Sequence, residues 1–458
     1  MKNKYIIFLL SILIFSCEKA ELDDIDDIID PPTETSIEVV NSQFTVNTTI
    51  IEFEDLKRSL GGFRNSVYYT QNSNEYILFA GSSLPSITGK LHGTPTSLKK
   101  NQEGMWELHT PIGWTNIGMG GIRNTYKINP NTFLFADAAE QPLNGTGIVR
   151  EENHLYIAEV SGDNINWTKI ENEGYHHDVS FGDLNSDGVL DIVSASQGEI
   201  YYGTGGYNFD VVFDKLPRRY GSAYFSNEIV DVDNDGIEEI IEVSYVNSSE
   251  DVKNGFRILK RNDNGNYDLF KKITNTKLNS NDDMGGTWVE SLDLNNDGNK
   301  DLIILREGYV GGEPVSGVLE IYFGDGQGNF TSNQLFIGDE LGVAFVSPNL
   351  MDIDNDSDLD IVFTSACMGG NCNIFPGLIP TGKREDGWRL DNLIFINDGS
   401  GNYNKYNKEL KGPTGTFPTQ FIPFINKDGN LSFYGTHVWD NQDQSALVNI
   451  WEITIKNL

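Results

Sequence analysis

Hydrophobic residues in this chain come in short runs separated by acidic or glycine-rich turns. Ile192-Val193, Ile240-Ile241, Leu302-Ile303-Ile304 and Ile361-Val362-Phe363 are rich in β-branched residues and too short for helices, so they predict strands. Tyr76-Ile77-Leu78-Phe79 and Thr132-Phe133-Leu134-Phe135 predict two more. A second set of apolar residues flanks glycine turns. Tyr201 to Phe209, Tyr322 to Phe330 and Phe395 to Tyr403 each read strand, Gly-rich turn, strand, and Asn262 to Tyr267 is a reduced copy. Such segments predict hairpins.

An acidic loop precedes each of the first four runs. Its oxygen-bearing residues are Asp183, Asn185, Asp187 and Asp191 in the first copy, and Asp231, Asp233, Asp235 and Glu239 in the second. They are Asp293, Asn295, Asp297 and Asp301 in the third, and Asp352, Asp354, Asp356 and Asp360 in the fourth. Loop position 6 is Gly188, Gly236 and Gly298, with Ser357 in the last copy. Oxygens at alternate positions of a tight loop suit a hard cation, and Ca²⁺ takes about 6–8 of them. Four Ca²⁺ sites are therefore expected. The EF-hand is the rival, and Glu242 even stands twelfth from Asp231. The other copies have Ser194, Ile304 and Phe363 there, and strands rather than helices follow, so Glu242 reads as a strand residue.

The repeating unit is strand, acidic loop, strand, connection, strand, glycine turn, strand. Four strands per unit make a propeller blade. The units resemble FG-GAP (VCBS-type) repeats, the blades of integrin α-subunit propellers and of bacterial surface proteins, with Phe181-Gly182 and Phe323-Gly324 matching the family name. The resemblance implies an all-β fold. Gly61-Gly62 with Arg64 recurs as Gly120-Gly121 with Arg123, and Gly285-Gly286 with Trp288 opens the third acidic blade similarly. Asn426 to Ser432 looks like a decayed loop that binds no metal. These cues bring the count to seven blades, closed by Ile37–Glu54 pairing with Ala446–Ile455.

The ends place the protein. Met1-Lys-Asn-Lys4 followed by Tyr5–Phe15 is a charged start and a short apolar core, too short to span a bilayer. Ile14-Phe15-Ser16-Cys17 resembles a lipobox, which implies lipidation at Cys17. Residues 1–16 then form a lipoprotein signal peptide, 17–36 a disordered acidic tether and 37–458 the propeller. An acidic stretch behind the cysteine resembles the surface-export signal of Bacteroidetes lipoproteins, implying an outward-facing outer-membrane protein. Cys367 and Cys372 read as a local disulfide in an oxidising compartment. Net charge is −34, which argues against nucleic acid and against membrane contact beyond the anchor. A monomer is expected.

If the acidic loops join first and second strands, they share one face, and the blade starts share the other. The blade starts carry Arg64, Arg123, His176, His177, Arg218, Arg219, Tyr220 and Trp288. Arg pairs bidentately with carboxylate or sulfate, and aromatic faces stack on sugars. Arg64, Arg123, His177, Arg219 and Trp288 are thus candidate contacts for an anionic polysaccharide. The alternative is that the arginines pair with acids such as Asp178, Asp282 and Asp283 and pin the blade starts. No Gly-x-Ser-x-Gly, His-Glu-x-x-His or Walker loop is present, so a non-catalytic glycan binder is the preferred reading. A uronate-directed polysaccharide lyase is the alternative, with His176 or His177 as base, Tyr220 as acid and Arg218 or Arg219 neutralising the carboxylate. A third reading is adhesion to a surface protein.

Overall fold

A computed structural model describes residues 36–41, 44–53, 66–79, 95–111, 122–137, 154–171, 176, 178–195, 198–217, 224–244, 254–278, 283–310, 313–337, 345–366, 393–408, 410, 420–440 and 446–455. Among these there are strands and turns and no α-helix. The strands form seven antiparallel blades. Blade one comprises Ser66–Gln71, Asn74–Phe79, Thr96–Lys100 and Trp106–His109. Blade two comprises Ile122–Asn129, Thr132–Asp137, Leu155–Ser161 and Asn164–Ile170. Blade three comprises Val179–Gly182, Asp191–Ser194, Ile200–Gly205 and Asn208–Val212. Blade four comprises Tyr224–Val230, Glu239–Ser244, Gly255–Arg261 and Tyr267–Thr274. Blade five comprises Asp283–Leu292, Asp301–Val310, Glu313–Gly324 and Phe330–Ile337. Blade six comprises Phe345–Met351, Asp360–Ala366, Ile394–Asn397 and Tyr403–Lys405.

Blade seven closes the ring. Its strands Gln420–Ile425, Leu431–Asp440 and Ala446–Ile455 are completed by the N-terminal Phe44–Phe53, paired from Phe44 with Ile455 to Phe53 with Ala446. Ser36–Asn41 adds a further strand outside it. The expected closure is therefore present, and it pairs backbone that would otherwise leave an open edge.

Blade order follows from burial. Second strands are covered on both faces by neighbouring blades, so Thr132–Asp137 is buried at every position. Fourth strands lie at the rim, so Tyr267–Thr274 is mostly exposed or half-buried. Apolar clusters sit between blades rather than within them. Ile241, Phe256, Leu302 and Tyr322 join blades four and five. Ile77, Trp106, Phe424 and Tyr434 join blade one to blade seven. First strands of blades three, four and five touch one another, which puts them innermost. The acidic loops join first to second strands and so share one face, as expected. Glu242 is a buried strand residue, its carboxylate paired with Arg257 (2.6 Å).

Candidate metal loops and the central channel

The four acidic loops share one backbone. Position 4 has positive φ in each (Ser186 60°, Asn234 58°, Asn296 60°, Asn355 64°), and so does position 6 (Gly188 81°, Gly236 85°, Gly298 88°, Ser357 80°). A Cβ at Gly188, Gly236 or Gly298 would meet nothing within 4 Å. Glycine is there for its left-handed torsion and not for space, and Ser357 adopts that torsion with a side chain.

Local hydrogen bonds pre-shape the loops. Asp183 accepts from the Asp187 and Gly188 amides (both 2.9 Å). Asp293 accepts from Asp297 (3.0 Å) and Gly298 (2.9 Å). The position-9 carboxylate faces the third strand. Asp191 accepts from the Gly203 amide (2.8 Å), Asp301 from Gly324 (2.9 Å) and Asp360 from Asn397 (2.9 Å). A Cβ at Gly203 or Gly324 would lie 2.3 or 2.1 Å from the backbone oxygen of Leu190 or Lys300. These glycines permit close approach of the third strand to the loop.

The loops remain short of positive charge. Oxygens of Asp352, Asp354 and Asp356 lie within 4.8 Å of one another, and Asp352 Oδ1 is buried without a hydrogen-bond partner. Burial, with acidic neighbours, pushes Asp358 up to about 7, Asp360 up to about 6 and, in the second loop, Glu239 up to about 7. Burial likewise pushes Asp191 up to about 6. Oxygen donors that crowd this closely fit a hard divalent cation. Among the described residues, the second loop (Asp231, Asp233, Glu239) and the fourth (Asp352, Asp354, Asp356) gather three carboxylates this closely.

The second loop differs. Lys260 Nζ lies 2.6 Å from Asp233, 2.7 Å from Asp235 and 2.9 Å from Glu239. Lys260 was not among the residues singled out from sequence. Comparing third strands across the repeats would have found it.

Neighbouring loops are tied together. The Glu238 carboxylate of blade four accepts from the Asp183 amide of blade three. Asn234 donates to Asn299 of blade five (3.1 Å), and Asn397 of blade six donates to the Leu294 carbonyl (3.2 Å).

The channel is crossed by an aromatic pair. Tyr126 of blade two stacks on Trp288 of blade five, with centroids 5.9 Å apart and planes at 10°. Buried Asp178 receives the Tyr126 hydroxyl, Asn124 Nδ2 (3.4 Å) and Ser226 Oγ (2.5 Å). Ser226 in turn accepts from the Val289 amide (2.9 Å). Trp288 Nε1 donates to Glu290 (3.2 Å), and Ser291 Oγ donates to Glu228 (2.8 Å). Burial, with Glu290 alongside, pushes Glu228 up to about 8. Polar groups of four blades thus knit the centre, a network that sequence spacing alone did not signal.

Two candidate contacts are buried by this packing. Trp288 is only 4% exposed and is engaged in the channel rather than standing free at the blade starts. His176 is fully buried, its Nδ1 3.2 Å from Ser194 Oγ. Burial pushes it down to about 3, so it is neutral and out of reach of a polymer. Arg123 is the second residue of its strand. Arg64, His177, Arg218, Arg219, Tyr220, Cys17, Cys367 and Cys372 lie outside the described residues.

Residues 293–363, which hold the third and fourth loops, match the family model for an FG-GAP-like repeat. A comparison with curated proteins finds no match. Among solved structures, a Lactobacillus plantarum protein is similar at TM-score 0.44 and 10% identity, over 78% of this chain and 88% of its own. The polysaccharide lyase Uly1 is similar at TM-score 0.35 and 10% identity, over 93% and 90%. An exo-β-1,3-galactanase from Clostridium thermocellum is similar at TM-score 0.29 and 10% identity, over 89% and 100%. Likenesses this distant carry no functional inference, and the architecture rests on the strand pairing. The chain is thus a seven-bladed β-propeller that carries an FG-GAP-like repeat at residues 293–363.

Proposed function

We propose that the protein is a calcium-stabilised binding propeller, anchored by a lipid on Cys17 at a bacterial outer-membrane surface, that takes an anionic polysaccharide on the face opposite its acidic loops. The observation that carries this reading is the division of the two faces. Acidic loops crowd one face, with Asp352, Asp354 and Asp356 within 4.8 Å of one another. By sequence position, Arg64, Arg123, His177, Arg218 and Arg219 stand at or just before blade starts in an otherwise acidic chain of net charge −34. Guanidinium groups there would pair with carboxylate or sulfate. The Tyr126–Trp288 stack joins blades two and five, and a polymer is proposed to lie across the face. Burial puts His176 out of reach of a polymer, which leaves His177 as the candidate base of the lyase alternative.

The test is direct. The purified protein is offered immobilised uronate-containing polysaccharides, and bound protein and the ultraviolet absorbance of unsaturated product are measured together. Saturable binding without new absorbance, weakened at least tenfold by Arg123→Ala or Arg219→Ala, is expected. Absorbance that grows with time and disappears in His177→Ala would establish a lyase instead. Binding to no glycan, with retention of a surface protein, would overturn the glycan reading.

A further inference from the structure

The second acidic loop has the ligand pattern of the others, yet its cation is already part of the chain. Strand register explains why. Ile240 pairs with Leu259, so Lys260 lies beside Glu239 at loop position 9. The same register puts Tyr202 beside Asp191, because Ile192 pairs with Tyr201. It puts Phe323 beside Asp301 and Ile396 beside Asp360, from the pairs Leu302–Tyr322 and Ile361–Phe395. Among the four loops only blade four has a cation at this place.

Its geometry is that of a bound ion. Nζ contacts carboxylates at positions 3, 5 and 9 (2.6, 2.7 and 2.9 Å). Asp231 accepts from the Asp235 and Gly236 amides (3.3 and 2.9 Å), as Asp183 and Asp293 do in their loops. Phe270 lies under the ammonium, 5.3 Å from ring centroid to Nζ. The position-9 residue has changed in step. Glu239 is one methylene longer than aspartate; one oxygen reaches Nζ, and the other accepts from the Val232 amide (3.0 Å). A Ca²⁺ bound by the same oxygens at about 2.3–2.6 Å would be pressed against the ammonium.

We infer that Lys260 is a built-in counter-ion that occupies the cation seat of blade four, so that this loop takes no calcium while those of blades three, five and six do. The inference rests on the calcium reading of those three loops. Bound calcium is counted by native mass spectrometry on the unsubstituted protein, on Lys260→Met and on Lys260→Gln. Each substitution should add one calcium ion, and adding Asp233→Asn to Lys260→Met should remove it again. Hydrogen exchange on the unsubstituted protein provides a readout that needs no variant. Chelation should raise exchange at residues 183–191, 293–301 and 352–360 and leave 231–239 near its starting protection. An unchanged count in both variants, or calcium-dependent protection at 231–239 equal to that of the other loops, overturns the inference. The calcium reading itself is judged separately, by whether the unsubstituted protein binds calcium at all.

Discussion

Blades four and five carry the same acidic loop on the same backbone and differ in what completes it. In blade five Asp301 clamps the third strand through the Gly324 amide (2.9 Å), and the neighbouring Phe323 offers no charge. In blade four Glu239 turns to Lys260. Two loops with one signature are therefore completed differently, one having no charged side chain at the place where the other has Lys260. The loop motif specifies a cation seat. A residue on another strand, some twenty positions away, decides whether the seat is open.

The largest separation between the blades should appear on chelation. Each calcium-loaded loop would lose about 2.7 kcal/mol relative to free calcium at about 100 times its Kd. Blades three, five and six should lose local stability, seen as a fall in Tm restored by Ca²⁺, while exchange in blade four stays nearly constant. Lys260→Met reverses the contrast. In calcium-free buffer it should cost about 2–4 kcal/mol by chemical denaturation, because the buried Glu239 and half-buried Asp233 lose their partner. Added calcium should recover part of that loss.

Acidity sharpens the same comparison. Without metal, Asp191 and Asp360 are raised to about 6 and Asp358 to about 7. A raised carboxyl keeps its proton in the folded state after the unfolded chain has released it, so stability falls as pH rises from about 4 to about 7. The Tm of chelated protein should therefore fall across that range. Calcium bound to the deprotonated loops, as proposed, should oppose the fall. Burial pushes Glu239 up to about 7 even beside Lys260, so blade four should share in the fall. The smallest effect concerns torsion. Ser357→Gly relieves a left-handed serine (φ 80°) and should raise stability by about 1 kcal/mol, whereas Gly298→Ser should cost a similar amount.

Repeats made the architecture legible. Alternating apolar runs and glycine turns marked the hairpins, Tyr76–Phe79 and Thr132–Phe135 are second strands, and the N-terminal segment closes blade seven against Ala446–Ile455. Local hydrogen bonding and torsion determine these features, and both leave traces in nearby sequence. The channel was not legible. Tyr126 and Trp288 come from blades two and five and meet only because the ring closes. Trp288 looked like a stacking platform for a sugar, and His176 like an accessible base. The interior claims both, because inner-strand residues face the channel or the next blade. Lys260 was missed for a simpler reason, since a lysine in a strand carries no motif until the strands are placed in register.

The most direct measurement is native mass spectrometry of the unsubstituted protein titrated with calcium. One ion in each of blades three, five and six, and none in blade four, is the expected result. A protein that binds no calcium, or one that fills the blade-four loop with Lys260 in place, would contradict it.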